Sequence, residues 1–162
     1  KLQEKTGAES VIRSMPNLPL QVGKGFTAWM ASGDVDKNLV KKIFAAFGEE
    51  MEVEKEEDLN SVTALSGCGP AYFFYICELM EAKAKAWGFR DEDAAKMVRA
   101  TLGGAAALLE KGELSAAEWR SAVASKGGST EAALKKLVEI ENVMNAALEA
   151  AKKRCEELNN NS

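Results

Sequence analysis

Histidine is absent from this sequence altogether. That removes histidine triads, histidine general bases and most catalytic zinc sites, so any chemistry here uses other groups and no metal is expected. Cysteine is scarce, with Cys68, Cys77 and Cys155 in no C-x-x-C spacing. Each falls in an apolar helical stretch, where a reduced thiol behaves as a small hydrophobe, and a reducing compartment, the cytoplasm, is expected. Clustered basic charge is missing as well: the net charge is −4, against a nucleic-acid partner. No apolar run reaches the ~20 residues that a bilayer demands. The nearest candidate, Ala71 to Met80, contains Glu78 and is followed by Glu81, Lys83 and Lys85, so no membrane partner is expected. There is no initiator methionine; the chain opens on K-L-Q-E-K-T-G and reads as a fragment.

What is present is an ordinary globular composition, 46% hydrophobic and 28% charged over 162 residues, enough for one sizeable core or two small lobes. The chain is organised around Val62 to Trp87, closed by Gly88. Helical residues lead into Gly67-Cys68-Gly69, and Pro70 restarts a helix at a first-turn position where its missing N–H costs nothing, so a kink is built in. From Ala71 to Met80 only Glu78 is polar. A helix without a wet face needs packing partners all round, which places it at a subunit interface.

Upstream, residues 1–56 mix strands and a helix. Ser10 to Met15 reads as a strand stopped by Pro16 and Pro19, and M-P-N-L-P as a turn. Leu20 to Val22 and Phe26 to Met30 read as extended segments around Gly23-Lys24-Gly25. A helix starts at Asp34 or Asp36, carries Val40, Ile43, Phe44 and Phe47, and stops at Gly48. Met51 and Val53 alternate with Glu50, Glu52 and Glu54, the pattern of a strand whose acidic face is wet.

Residues 57–158 are helical throughout. Acidic residues start helices at Glu56-Glu57-Asp58 and Asp91-Glu92-Asp93, and Ser115-x-x-Glu118 is a capping box. Gly103-Gly104 in mid-helix points to another backbone passing close by. A helix from Thr130 turns Leu134, Leu137 and Val138 inward, and the last helix repeats Met144, Leu148, Ala151, Cys155 and Leu158. Trp29, Trp87 and Trp119 read as core, and residues 159–162 as a disordered tail.

Gly23-Lys24-Gly25-Phe26-Thr27-Ala28 matches the dinucleotide fingerprint in letters, but its context is wrong, because the residues after the glycines are strand-like and no acid follows near Lys42 to Phe47. A tight turn is the reading kept. Ser125-Lys126-Gly127-Gly128-Ser129-Thr130 places glycines at a helix start, either a capped helix behind a flexible loop or an anion site with unpaired backbone donors and two hydroxyls. Cys68 has no base beside it in sequence and reads as packing. The acidic run Glu49 to Asp58 reads as a solvated edge, not a metal site.

Three segments carry a resemblance: M-P-N-L-P with G-K-G-F-T-A, V-T-A-L-S-G-C-G-P-A-Y-F-F, and S-K-G-G-S-T. In this order and spacing they resemble the pyrroline-5-carboxylate reductase family, whose members reduce 1-pyrroline-5-carboxylate to proline with NADPH or NADH. The resemblance implies a mainly α chain: the last strands and helix of a truncated Rossmann-type cofactor domain, then a helical domain that intertwines with its twin in a homodimer or a multiple of dimers. It places Met15, Pro16 and Asn17 near the nicotinamide, and Gly127, Gly128, Ser129 and Thr130 in the loop that takes the substrate carboxylate. The Thr130 hydroxyl is implied to meet the ring nitrogen, as the catalytic contact. Ser66, Gly67, Gly69 and Pro70 form the kink below, and a dimer would make the site composite. Leu18, Cys68, Lys126 and Glu131 depart from the family's usual threonine, serine, proline and aliphatic residue. The main cofactor-binding region is absent from these residues, so the chain alone is expected to be inactive. A non-catalytic dimerisation module and a reductase of another cyclic imine acid are the alternatives.

Overall fold

The computed structural model describes residues 7–160. The chain divides into two compact units, one holding the described residues through Tyr72 together with those from Ala146 onward, the other Phe73–Asn145. The short helix after Glu56 packs on the sheet, within the first unit.

In the first unit, strands β1 (Val11–Pro16), β2 (Gly25–Ser32) and β3 (Gly48–Glu52) form a sheet in that order. β1 pairs antiparallel to β2, with Met15 opposite Ala28, and β2 pairs parallel to β3, with Ala28 opposite Met51. The central strand is the one covered on both faces. Alternation along β2 sends Phe26, Ala28 and Met30 to one side, where they pack with Met15, Val53, Leu59 and Val62; Leu59 lies on helix α2 (Asp58–Val62). Trp29 points the other way, fully buried, its ring 6.2 Å from that of Phe44 on helix α1 (Lys37–Ala45). Asp36 caps α1 by accepting from the Asn38 and Leu39 N–H groups.

Two local expectations are overturned in this unit. Leu18–Val22 is a 3-10 helix, not an extended segment, because Pro19 sits in its first turn and left-handed Gly23 closes it. In β3 the acidic face is the more enclosed one: Glu50 accepts from the Trp29 Nε1–H at 2.6 Å, Glu52 pairs with Lys37 at 2.5 Å, and Met51 is exposed. A buried indole N–H must find an acceptor, and a carboxylate at strand spacing supplies it. Val53 is buried as expected.

The helical part begins with a π turn over Thr63–Gly67, where the Cys68 N–H reaches back to the Thr63 carbonyl at 2.8 Å. Helix α3 (Gly69–Ala86) follows with Pro70 at its second residue, so the kink takes the form of a widened turn. The second unit holds most of α3, then α4 (Asp91–Glu110), α5 (Ala116–Ala122) and α6 (Ser129–Leu137). The Ser115/Glu118 capping box is formed at α5. Within this unit Ala84, Ala94 and Val98 are buried, whereas Phe73, Phe74, Tyr75, Leu79, Leu137 and Val138 are exposed. Leu137 and Val138 thus do not turn inward within the chain. Trp87 is exposed too, with the Lys83 ammonium 5.6 Å from its ring, and Trp119 is only half-buried. Among the described residues no heavy atom comes within 4 Å of a side chain built at Gly103 or Gly104, so no described backbone passes there.

Helix α7 (Ile140–Asn160) corrects the tail. Asn159 and Asn160 are helical, and residues 161–162 lie outside the described residues. Asn159 accepts from Arg13 at 3.2 Å and donates to the buried Asn60 at 2.6 Å, so a polar chain fastens the helix end to the strands and short helix within the first unit. Arg13 also pairs with Glu56.

The parallel pairing of β2 with β3 depends on Gly48. Its φ is +138°, and a Cβ there would lie 2.0 Å from the Gly25 carbonyl oxygen. Gly48→Ala is therefore expected to lower stability by about 3 kcal/mol, since backbone has to shift against backbone. Urea unfolding of the two proteins checks this, and an unchanged midpoint refutes it.

Candidate functional site

The S-K-G-G-S-T segment lies wholly in the second unit. The Gly128 N–H donates to the Ser125 carbonyl at 3.0 Å, and Gly127 has φ +74° while Lys126 keeps negative φ. That combination is a type II turn with Gly127 at the position that requires positive φ. Gly128, extended at φ −80° and ψ 169°, is the N-cap residue of α6. A Cβ on it would meet the Ser125 Oγ at 2.4 Å, so the second glycine serves close packing within the turn.

Accounting for the donors shows what this helix start can bind. Gly128 spends its N–H inside the turn, and Gly127 donates its own to the Glu131 Oε2 at 2.6 Å. Ser129 and Thr130 are the first two helical residues, whose N–H groups have no intrahelical partner. They sit at the positive end of the helix dipole, together with the hydroxyls of the same residues. Ser129 is exposed and Thr130 half-buried. Of the four residues in the proposed carboxylate loop, two shape the turn and two can offer backbone donors.

Glu131 is the residue whose part in this loop the sequence reading missed. Its offset of three from the N-cap glycine was the available signal, because a Glu at that position reaches back to orphan donors. Its Oε1 also pairs with Lys135 at 2.7 Å. The Lys135 bond first, and the Gly127 N–H second, hold its carboxyl below the usual carboxylate range. A lowered folded value means that the contribution is fully present above the ordinary pKa of about 4.3 and is lost as pH falls through the lower folded value.

Met15, Pro16 and Asn17 lie in the first unit at the end of β1, and the structure brings them to the π turn. The Asn17 Oδ1 accepts from the Phe26 N–H at 2.8 Å, while its Nδ2 donates to the Ser66 Oγ at 3.1 Å and lies 3.4 Å from the Ser66 carbonyl oxygen. The Asn17 side chain is fully occupied as a clamp between the M-P-N turn, β2 and the π turn. Gly67 faces Met15, whose Cε lies 2.7 Å from the place of a Cβ. Gly69 meets nothing, so its role is to open α3.

Cys68, Tyr72 and Cys155 gather in the same unit. The Tyr72 hydroxyl donates to the Ala64 carbonyl at 2.9 Å, bridging the widened turn. Burial, and then Cys68, push the Tyr72 pKa up, and burial first pushes up the Cys155 thiol as well. A thiol held protonated is a poor nucleophile, in keeping with the packing role read for Cys155.

The fold is that of a mainly helical protein with a small mixed sheet ahead of its helices. A family model described as pyrroline-5-carboxylate reductase dimerisation matches residues 56–158, and the chain belongs to this family. Among curated relatives, the pyrroline-5-carboxylate reductase of Vibrio alginolyticus is 37% identical over 155 residues, covering 92% of this chain and 57% of that protein. That of Pasteurella multocida is 32% identical over 166 residues, covering 98% and 60%. The solved pyrroline-5-carboxylate reductase of Coxiella burnetii superposes with a TM-score of 0.91 at 36% identity, over 97% of this chain and 60% of that one. The pyrroline carboxylate reductase of Plasmodium falciparum, solved with NADP bound, gives 0.85 at 31%, over 95% and 61%. The chain thus spans about three fifths of the length of these relatives.

The Asn17 clamp can be tested apart from any ligand. Asn17→Ala leaves the Phe26 N–H without its acceptor and is expected to cost about 1–3 kcal/mol. Gly67→Ala should cost less, because the atom it meets is the free end of a flexible methionine. Equal losses in a thermal or urea titration of both variants would show that Asn17 is not the clamp.

Proposed function

We propose that this chain provides the substrate-binding and dimerisation part of an NAD(P)H-dependent pyrroline-5-carboxylate reductase, which reduces 1-pyrroline-5-carboxylate to proline. The observation that carries the reading is the K-G-G-S-T turn, which lies inside the family match and leaves two adjacent N–H donors free at a helix start. The Ser129 and Thr130 N–H groups receive the ring carboxylate. The Thr130 hydroxyl contacts the ring nitrogen, where a proton must arrive as the C=N bond is reduced.

NADPH or NADH supplies the hydride when bound. Met15, Pro16 and Asn17 form the edge beside the nicotinamide. They fit a supporting part, because the Asn17 amide is already spent on Phe26 and Ser66 and the Met15 side chain packs on the sheet core and Gly67, which leaves backbone groups to face a ligand. The G-K-G-F-T-A match does not hold the pyrophosphate: Gly23 ends a 3-10 helix and Gly25 opens β2, so no helix N-terminus follows the glycines. On this reading residues 1–56 are the C-terminal part of a Rossmann-type cofactor domain and residues 57–158 the dimerisation and substrate domain. Among the described residues no helix is long and apolar enough to cross a membrane. By the same reading, the protein acts in the cytoplasm on a small-molecule substrate, without nucleic acid.

The partner is a second copy of the chain. Phe73, Phe74, Tyr75, Leu79 and Met80 stand exposed along α3, and burying a phenylalanine contributes about 1.5–3 kcal/mol. Such a surface belongs at an interface.

Light scattering is expected to give twice the chain mass or a multiple of it, and Phe74→Asp to shift the protein toward monomer with loss of stability. A stable, well-folded wild-type monomer at micromolar concentration refutes the dimer.

For the site, titration with proline or tetrahydrofuroic acid is expected to move the Ser129 and Thr130 amide resonances, with millimolar affinity. Thr130→Val should weaken binding by about fivefold through loss of one hydrogen bond. Shifts confined to other residues would refute the loop assignment. The chain alone is expected to oxidise no NAD(P)H with pyrroline-5-carboxylate, and turnover proportional to its concentration would show that a complete cofactor site is present.

A further inference from the structure

Two consecutive glycines make Gly127-Gly128 the part of this loop with the most backbone freedom to lose. An anion cradle works best when its N–H groups are already aligned before the ligand arrives. The type II turn from Ser125 to Gly128 aligns them, yet Lys126, at the second turn position, does nothing to set φ as a proline there would. Something else must hold the turn. The Gly127 N–H lies 2.6 Å from the Glu131 Oε2, and the Glu131 Oε1 lies 2.7 Å from the Lys135 Nζ one helical turn further on. An ordinary capping box would send this glutamate to the N-cap N–H, but Gly128 has already given that donor to the Ser125 carbonyl. The carboxylate therefore reaches one residue further back.

We propose that Glu131 is a positioning residue: by holding the Gly127 N–H it fixes the Ser125–Gly128 turn, so that the unpaired helix-start N–H groups, those of Ser129 and Thr130 first, are aligned to receive a ligand carboxylate. The inference rests on the reading above that this loop takes the substrate carboxylate. Lys135 gives the brace its direction, because it holds the carboxylate from the helix side and offsets a negative charge that would otherwise oppose an anionic ligand. Glu131 thus acts through the turn and touches no ligand itself. The same geometry says what can replace it. Proline at position 126 sets φ for the turn without any carboxylate, so Lys126→Pro should do by backbone restriction what Glu131 does by a hydrogen bond.

The test measures amide hydrogen exchange at Gly127 and proline affinity in the full chain, for wild type, Glu131→Gln, Glu131→Ala and the double variant Glu131→Ala/Lys126→Pro. Glu131→Gln keeps the shape and an acceptor oxygen, so it reports on charge even if Glu131→Ala perturbs the fold. Exchange at Gly127 is expected to quicken slightly in Glu131→Gln and by about threefold in Glu131→Ala, the scale of an exposed charge-assisted contact. Proline affinity should fall by a similar factor in Glu131→Ala and recover in the double variant. Unchanged exchange at Gly127 in Glu131→Ala overturns the brace. Affinity that falls and is not restored by Lys126→Pro overturns the positioning role, since Glu131 would then act on the ligand directly. If Gly127 exchange quickens as expected but wild type binds no proline, the brace stands and the carboxylate reading of the loop is what fails.

Discussion

A helix with apolar residues on every side cannot be satisfied by a chain that covers only part of it. In α3 the run from Ala71 to Met80 carries one charge, and Phe73, Phe74, Tyr75 and Leu79 are each more than half exposed. The same shortage of cover recurs along the second unit, at Trp87, Val123, Leu137, Val138 and Val143. Its own buried residues are few and small, Ala84, Ala94 and Val98 among them. A unit with so little core of its own depends on surface supplied from elsewhere, because conformational entropy has to be offset by burial that these helices do not find in one another. The open space facing Gly103 and Gly104 fits the same dependence: two glycines in mid-helix cost stability unless a neighbour exploits the missing side chains.

The first unit, by contrast, builds a core around its central strand. β2 is buried on both faces, Trp29 has its ring against Phe44 and its N–H on Glu50, and Ala28 packs with Leu59 and Val53. Polar links then carry this rigidity outward: Asn17 ties the end of β1 to β2 and to the π turn, and Arg13 and Asn60 hold Asn159 near the end of the last helix. All but the Asn17–Phe26 link join residues far apart in sequence. The kink before α3 is therefore held by the sheet as well as by its own glycines and proline.

How much of this was legible in the sequence follows from whether the signal was local. Pro70, the Ser115/Glu118 box and the Asp36 start were readable because caps and breakers act within a few residues. The face of β3 was misread because alternation identifies two faces and not which one is enclosed; Trp29, some twenty residues away, decides it by requiring Glu50 as an acceptor. Leu137 and Val138 kept their helical spacing, but spacing points to a neighbour without saying that it is in the same chain. The tail misled for another reason. A run of asparagines carries no apolar signal, yet Asn159 is ordered by two hydrogen bonds to residues more than ninety positions earlier.

The loop from Ser125 to Thr130 shows the same division on the scale of six residues. Its glycines, its hydroxyls and its place at a helix start could all be read in order along the chain. Which donors remain free could not, since that depends on where each N–H goes. The turn takes one, the Glu131 carboxylate takes another, and the N–H groups of Ser129, Thr130 and Glu131, which precede the first intrahelical bond from Ala132, remain at the positive end of α6. Binding capacity here is what is left after the backbone has satisfied itself. A substitution at Glu131 therefore changes how many donors the loop consumes internally, since the Gly127 N–H is the one its carboxylate takes.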